Sequence, residues 1–163
     1  MYAGKRIASR VAAATAAVSA ALCVAVAFPA KAALIPPGEW AMIRQVAVNY
    51  DLSDEDTWLL AAIRRHENGR PGLEFGVGGP MDSGHRAHRY RDGVKSFYVQ
   101  AAWAAGTIRR HYRGDLAAFG RRYNPPHPEK WSAGVRSLIT RLKNENGGRL
   151  PGPRPRKKEL KFP

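Results

Sequence analysis

Apolar residues recur every three or four positions along most of this chain, which is the spacing of helices with one buried face. Five helices are predicted: one opened by Pro36-Pro37 and running towards Tyr50, then 54–67, 94–113, 115–123 and 128–144. Between Gly69 and Gly93 this period is lost and Gly, Pro, His and Arg dominate, so we expect a small irregular or β lobe there. The predicted fold class is mainly α (α+β), with this lobe beside a helical core.

The helix over 54–67 ends in an acid and has clear boundaries. Ser53, followed by three acidic residues, is typical of an N-cap and first turn, and Gly69 is predicted to stop the helix. At about 100° per residue, Glu67 shares a face with the apolar residues that precede it, which are Leu59, Leu60 and Ile63. The carboxyl group is therefore expected on the side of the helix that faces the core.

Two effects act on a carboxyl group in that position. Leucine and isoleucine side chains desolvate it, and the C-terminal end of a helix carries a partial negative charge. Both disfavour the anion, as a general acid for glycoside cleavage requires, because it must hold a proton near neutral pH. The alternative is an ordinary amphipathic helix whose last turn carries a solvated glutamate beside Arg64 and Arg65.

The first 32 residues have the pattern of a signal peptide. A basic start precedes an uncharged, Ala/Val-rich stretch over 11–28, and Ala30-Lys31-Ala32 supplies a cleavage site with small residues. We expect cleavage after Ala32 and a secreted or periplasmic protein, with an uncleaved membrane anchor as the alternative. The single cysteine, Cys23, would leave with this peptide, so no disulfide is expected in the mature chain.

The chain is strongly basic, with a formal net charge of +14. Removal of residues 1–32 takes away four basic residues and no acid, which leaves +10 on the mature chain. Such a charge favours anionic partners, among them peptidoglycan and other anionic wall polymers, but a soluble basic protein of another function would also carry it. We predict one folded domain over 33–148 and a basic, Pro-rich, disordered tail over 149–163.

Two segments resemble the lysozyme-like clan of peptidoglycan glycosidases and lytic transglycosylases, and the resemblance extends over about 40–142. Residues 62–69, Ala-Ile-Arg-Arg-His-Glu-Asn-Gly, are similar to the hydrophobic helix and Glu-Ser-Gly of that clan, with Asn68 in place of the serine. Residues 116–124, Leu-Ala-Ala-Phe-Gly-Arg-Arg-Tyr-Asn, look like the helix that closes the cleft of soluble lytic transglycosylases. The glycine usual after that Tyr-Asn is missing, and Pro125-Pro126 stand there.

Other segments resemble a neighbouring branch, the N-acetylglucosaminidase domains. Residues 74–77, Glu-Phe-Gly-Val, are similar to its Leu-Phe-Gly-Ile strand, and 89–96 are similar to its Arg-x-Tyr-Asp-Ser entry into the central helix. Residues 123–131, which begin Tyr-Asn-Pro-Pro, resemble its closing Tyr-Ala-Thr-Asp-Pro segment. The distance along the chain from Glu67 to the Phe-Gly pair is shorter than in that branch.

The resemblance implies that Glu67 is the general acid and then the base in cleavage of β-1,4 links between N-acetylmuramic acid and N-acetylglucosamine. It also implies that Tyr123 steadies the charge on the sugar and that Asn124 binds an N-acetyl group; otherwise they are a helix-end tyrosine and a turn-forming asparagine. Phe75, Gln100 and Trp103 are the further candidates for substrate binding, and burial in the core is the alternative for the tryptophan.

A hydrolase also needs a second carboxylate, about 5 to 5.5 Å away if it retains the anomeric configuration and about 6.5 to 9.5 Å away if it inverts it. The irregular lobe offers Glu74 and Asp82, and we take Glu74 as the catalytic candidate. The alternative is an exposed loop acid paired to Arg70 or Arg86. A lytic transglycosylase, as the resemblance implies, needs no second carboxylate, since the C6 hydroxyl of muramic acid attacks within the substrate.

We expect no cofactor and no metal, because His66, His85 and His88 lack the spacing of a zinc site. The expected partner is the glycan strand of peptidoglycan, without specific nucleic acid, and the expected state is a monomer. The competing hypothesis is a non-catalytic, cationic module that binds cell wall or nucleic acid on a lysozyme-like fold. A third is attachment to membrane surfaces through the tail.

Overall fold

The computed structural model describes residues 32–69, 72–77 and 93–158, which belong to a single compact unit. Five helices form this part of the chain: α1 (Pro37–Asn49), α2 (Asp54–Glu67), α3 (Gly93–His111), α4 (Leu116–Tyr123) and α5 (Pro128–Glu145). The mainly helical prediction is confirmed. No strand occurs within the described ranges, where residues 72–77 form turns, so the β part of the expected lobe is not shown.

Local sequence explains where the helices begin. Ser53 accepts a hydrogen bond from the backbone N–H of Asp56 at 3.1 Å, and the Asp56 carboxylate accepts one from the backbone N–H of Ser53 at 3.4 Å. This reciprocal pair caps α2. Asp115 caps α4 in a similar way, since its Oδ1 accepts from the N–H groups of Ala117 and Ala118 at 2.8 and 3.0 Å.

The end of α2 differs by one residue from the sequence prediction. Asn68, with φ 44° and ψ 35°, takes the left-handed conformation that ends the helix, instead of Gly69. Asparagine tolerates this conformation better than most residues. Gly69 has another role, because a Cβ atom there would collide with the backbone carbonyl of Leu73. The glycine thus lets the chain turn back tightly after Glu67.

Helix α2 lies at the centre of the fold. It packs against α1, α3 and α5, whereas α3 packs against α1 and α2. Its middle turns are fully buried, with Leu60 and Ile63 inaccessible to solvent. Aromatic pairs join α2 to α1 and the 72–77 segment to α3, through Trp40–Trp58 and Phe75–Phe97 contacts at 5.4 and 5.2 Å between ring centroids. The helix that carries Glu67 is therefore the most firmly packed.

The C-terminal segment 150–158 lies along α1, which differs from the disordered tail expected over 149–163. The Arg44 guanidinium donates to the carbonyls of Leu150, Pro151 and Gly152, and the Gln45 amide donates to the carbonyl of Arg156 at 2.9 Å. Proline already restricts this segment in the unfolded chain, so ordering it costs less conformational entropy. Leu150 packs against the hydrophobic core, the rest of the segment is proline, glycine and basic residues, and α1 supplies polar partners for its backbone.

The predicted signal peptide, residues 1–32, lies outside the described residues except for Ala32. Within the described part, none of the helices is both long enough and apolar enough to cross a membrane.

Candidate active site

Glu67 is the last residue of α2, and its carboxyl group is held by a tryptophan. The indole Nε1–H of Trp131, on α5, donates a hydrogen bond to Glu67 Oε1 at 2.8 Å. The Trp131 side chain is only 1% exposed, and a buried indole N–H needs such a partner. The Glu67 residue itself is half-buried. The carboxyl group is therefore fixed on one oxygen at the edge of the core.

The other oxygen of the same carboxyl group faces Gly76. A Cβ atom built on Gly76 would lie 2.5 Å from Glu67 Oε2, which is too close for any side chain. Gly76 also has φ +68°, a backbone conformation that L residues rarely adopt. Both constraints select glycine, and Gly76 itself is exposed.

Gln100 of α3 holds the 72–77 segment in this place. Its Oε1 accepts from the backbone N–H groups of Phe75 and Val77 at 3.3 and 3.2 Å, and its Nε2 donates to the carbonyl of Val77 at 2.6 Å. The side chain is 0% exposed, and Phe75 beside it is equally buried. Gln100 and Phe75, two candidates for substrate binding, are thus buried in the core, and Gln100 positions the backbone of the 72–77 segment.

Tyr123, at the end of α4, connects the segment to the tryptophan. Its hydroxyl donates to the carbonyl of Phe75 at 2.7 Å, and its ring stacks on Trp131 with centroids 5.0 Å apart and planes 26° apart. Burial, followed by the nearby negative charge of Glu67, raises the pKa of the Tyr123 hydroxyl. The hydroxyl therefore stays protonated near neutral pH, and the negative charge of Glu67 acts on it.

Glu74 is buried in the same segment. Its side chain is 4% exposed, and its Oε2 accepts from the backbone N–H of Gly72 at 3.0 Å. The same N–H also donates to the Ser96 hydroxyl at 2.6 Å. The other acid considered for this role, Asp82, and the proposed ion-pair partners Arg70 and Arg86 lie outside the described residues.

The remaining candidates, Asn124 and Trp103, make no hydrogen bond to the Glu67 carboxyl group among the described residues. Asn124 ends α4, where its backbone N–H donates to the carbonyl of Gly120 at 2.8 Å, and it is half-buried. Trp103 is half-buried on α3, and among the described residues no hydrogen bond or ring contact joins it to Glu67. The structure thus brings Glu67, Tyr123, Phe75 and Gln100 together around 72–77.

Trp131 is the site residue that the sequence reasoning did not select. It belongs to the regular apolar stripe of α5, so the pattern predicts a core residue, which it also is. Its ring also meets His66 edge to face, at 6.0 Å between centroids. The sequence does carry a chemical indication of the contact between Trp131 and Glu67. A buried indole N–H requires an acceptor, and Glu67 is the acid predicted to face the core.

No cluster of three or more His, Cys, Asp or Glu residues arranged for a metal ion occurs in the part of the chain that the structure describes. His85 and His88 lie outside it. The imidazole of His66 instead packs against Gly134 of α5, where a Cβ atom would lie 2.6 Å from His66 Cε1.

Comparison with known proteins identified no relative of this chain. No protein-family model matches the chain, and neither a curated protein nor a solved structure matches it.

Proposed function

We propose that this protein cleaves the β-1,4 linked glycan strands of peptidoglycan, with Glu67 as general acid and then as base. One observation carries the proposal: the Glu67 carboxyl is held on one oxygen by a buried indole N–H, while its other oxygen faces Gly76, an exposed glycine. A solvated glutamate in the last turn of an amphipathic helix would need neither contact.

The two contacts suggest which oxygen carries the proton. An indole N–H only donates, so Glu67 Oε1 accepts from it, and the proton of the neutral acid then belongs on Oε2. From there it can pass to the leaving glycosidic oxygen as the bond to the anomeric carbon breaks. The resulting carboxylate takes a proton back from the attacking hydroxyl group, whether this belongs to water or to the sugar.

The surroundings of Glu74 favour the route without a second carboxylate. A nucleophile has to touch the anomeric carbon, but Glu74 is almost fully buried and its Oε2 is engaged by the N–H of Gly72. In the intramolecular route the C6 hydroxyl of muramic acid attacks its own anomeric carbon, and a 1,6-anhydro sugar forms. We therefore propose a lytic transglycosylase in preference to a retaining hydrolase.

Product analysis tests the proposal. Purified peptidoglycan is digested with the chain over 33–163, and the released muropeptides are identified by mass spectrometry. We expect 1,6-anhydro-muramic ends; reducing muramic acid would indicate a muramidase, and reducing glucosamine a glucosaminidase. No release by the wild-type protein, with retained sedimentation on the polymer, would instead support a cationic binding module, the alternative that the net charge of the chain favours.

A matched pair of variants tests the observation itself. Trp131→Phe keeps an aromatic ring in the core and removes only the donor to Glu67, so we expect cleavage to fall about tenfold to a hundredfold while the fold persists. Trp40→Phe is the control, because Trp40 is similarly buried but packs on Trp58, away from the carboxyl group. Equal activities for the two variants would remove the main support for the proposal.

A further inference from the structure

The ends of α3 and α4 together form a cationic surface. Arg110, Arg113 and Arg122 are exposed there, and the charges of all three act on His111, which is half-buried in the last turn of α3. We call these four residues the arginine cluster. None of the ion pairs in the described ranges involves its arginines, whereas the neighbouring Arg109 pairs with Asp51.

Aromatic contacts fix the two helix ends relative to each other. Phe119 of α4 meets Tyr112, directly after α3, with centroids 5.5 Å apart, and it meets Tyr123 at the same distance. The Arg113 guanidinium is anchored by the carbonyls of Arg109, Arg110 and Tyr112 at 3.2, 2.9 and 2.8 Å. The two helix ends are therefore joined by packed rings, and the Arg113 guanidinium is held in one position.

The charges of the cluster act on one another. Burial and then the positive charges of Arg122, Arg110 and Arg113 lower the pKa of His111. Like charges repel one another unless an anion lies among them. Guanidinium groups are suited to phosphate in particular, because their planar donors match its oxygens in pairs.

The cluster is connected to the Glu67 site. Arg122 directly precedes Tyr123, whose ring stacks on Trp131, and Trp131 holds the Glu67 carboxyl group. Three successive ring contacts join Tyr112 to Trp131, so their ring centres lie at most about 16 Å apart. The arginine cluster is therefore joined to the Glu67 site by a continuous series of ring contacts.

We infer that the arginine cluster binds phosphate groups of an anionic, phosphodiester-linked wall polymer beside the glycan strand held at Glu67. The choice of this polymer rests on the proposed function, since the wall carries the glycan strand. The binding itself requires only the exposed guanidinium groups at the joined ends of α3 and α4, so it can be measured separately from cleavage.

Co-sedimentation with two preparations of the same wall tests this inference. One is an intact Gram-positive wall that carries phosphodiester polymer, and the other is stripped of it with hydrofluoric acid, which leaves the peptidoglycan. The variant Arg110→Gln with Arg122→Gln should bind intact walls about tenfold more weakly than wild type, with a shallower dependence on salt. The control, Arg149→Gln with Arg154→Gln, removes the same charge from other exposed positions and should bind nearly as wild type.

Several outcomes would overturn the inference. Equal binding by variant and control, or equal wild-type binding to intact and stripped walls, would exclude a specific phosphodiester site. If the variant lost binding only to double-stranded DNA, the surface would be one for nucleic acid. Cleavage of stripped walls separates the two proposals, because it is measured without the phosphodiester polymer. If the wild-type protein did not cleave stripped walls, the proposed function would be refuted and the binding result would be unaffected.

A second readout does not depend on wall binding. Titration of the His111 imidazole by NMR, with and without soluble poly(glycerol phosphate), should show its pKa rise when phosphate offsets the three neighbouring guanidinium charges. His127, on the loop before α5, is the internal control and should not respond. An unchanged His111 pKa at saturating polymer would contradict the inference.

Discussion

Residues 72–77 and 150–158 are both held by polar side chains that reach their backbone from a helix, but the two attachments differ in burial. Gln100 binds the first segment through an amide that is 0% exposed, whereas the second segment is held by Arg44, which is half-buried, and by Gln45, which is 7% exposed. When a buried partner is lost, the backbone groups cannot turn to water, and when an exposed one is lost they can. The position of the 72–77 segment beside Glu67 therefore depends most on the buried Gln100 amide, which makes three hydrogen bonds to it, while the carbonyls of the C-terminal segment are partly open to water.

The largest difference in the free energy of unfolding is expected between substitutions of two glutamines, Gln100 and Gln45. Gln100→Leu leaves the N–H groups of Phe75 and Val77 and the carbonyl of Val77 without partners, and we expect a loss of about 3 kcal/mol in the free energy of unfolding. Gln45→Leu removes bonds to Asn49 and to the carbonyl of Arg156, and should cost about 1 kcal/mol. Urea denaturation measures both. Equal losses would contradict the comparison.

A methyl group on Gly76 should lower both the stability of the fold and the rate of cleavage. Gly76→Ala forces the Glu67 carboxyl to move and strains a residue with φ +68°, so we expect about 1–3 kcal/mol of destabilisation and a fall in cleavage of at least about tenfold. Gly38→Ala on α1, where a Cβ atom meets nothing within 4 Å, is the control. Wild-type cleavage by folded Gly76→Ala would show that Glu67 does not need its position.

Loss of the attachment of the C-terminal segment should affect stability and cleavage less than the change at Gly76. Arg44→Gln removes the donor to three carbonyls, which can then bind water, so we expect about 1 kcal/mol of destabilisation and faster proteolysis within 150–158. Peptidoglycan cleavage should stay within about twofold of wild type. Arg141→Gln, at an exposed position of α5, is the matched control. Unchanged proteolysis would indicate that Arg44 does not retain the segment.

The smallest effect concerns pH. A hydrogen bond and the charge of Lys157, together with the charge of Arg109, lower the pKa of Asp51 below its ordinary value of 3.8. A lowered folded-state pKa contributes stability above the unfolded value, and this is lost as the pH falls through the folded value. We expect the C-terminal segment to exchange its amide protons faster, relative to α5, below about pH 4. Asp51→Asn should abolish that dependence; if it persists, another group causes it.

Local patterns predicted most of the fold. The capping pair at Ser53 and the apolar stripe of α5 lie within single segments, so the sequence alone gives these helices. The contact between Trp131 and Glu67 joins residues 64 positions apart, and only the packing of α5 on α2 creates it. Likewise, nothing in the composition of 149–163 indicates that Arg44, over a hundred residues earlier, supplies partners for its carbonyls.

The most direct test of the central claim is the initial rate of muropeptide release by Glu67→Gln, measured beside wild type and Glu129→Gln on the same walls. Glutamine keeps the shape and can still accept from Trp131, but it has no proton to give, so we predict a fall of about a hundredfold to ten-thousandfold. Glu129, exposed in the first turn of α5, should be replaceable without loss. Release by folded Glu67→Gln at the wild-type rate would contradict the assignment of Glu67 as the catalytic acid.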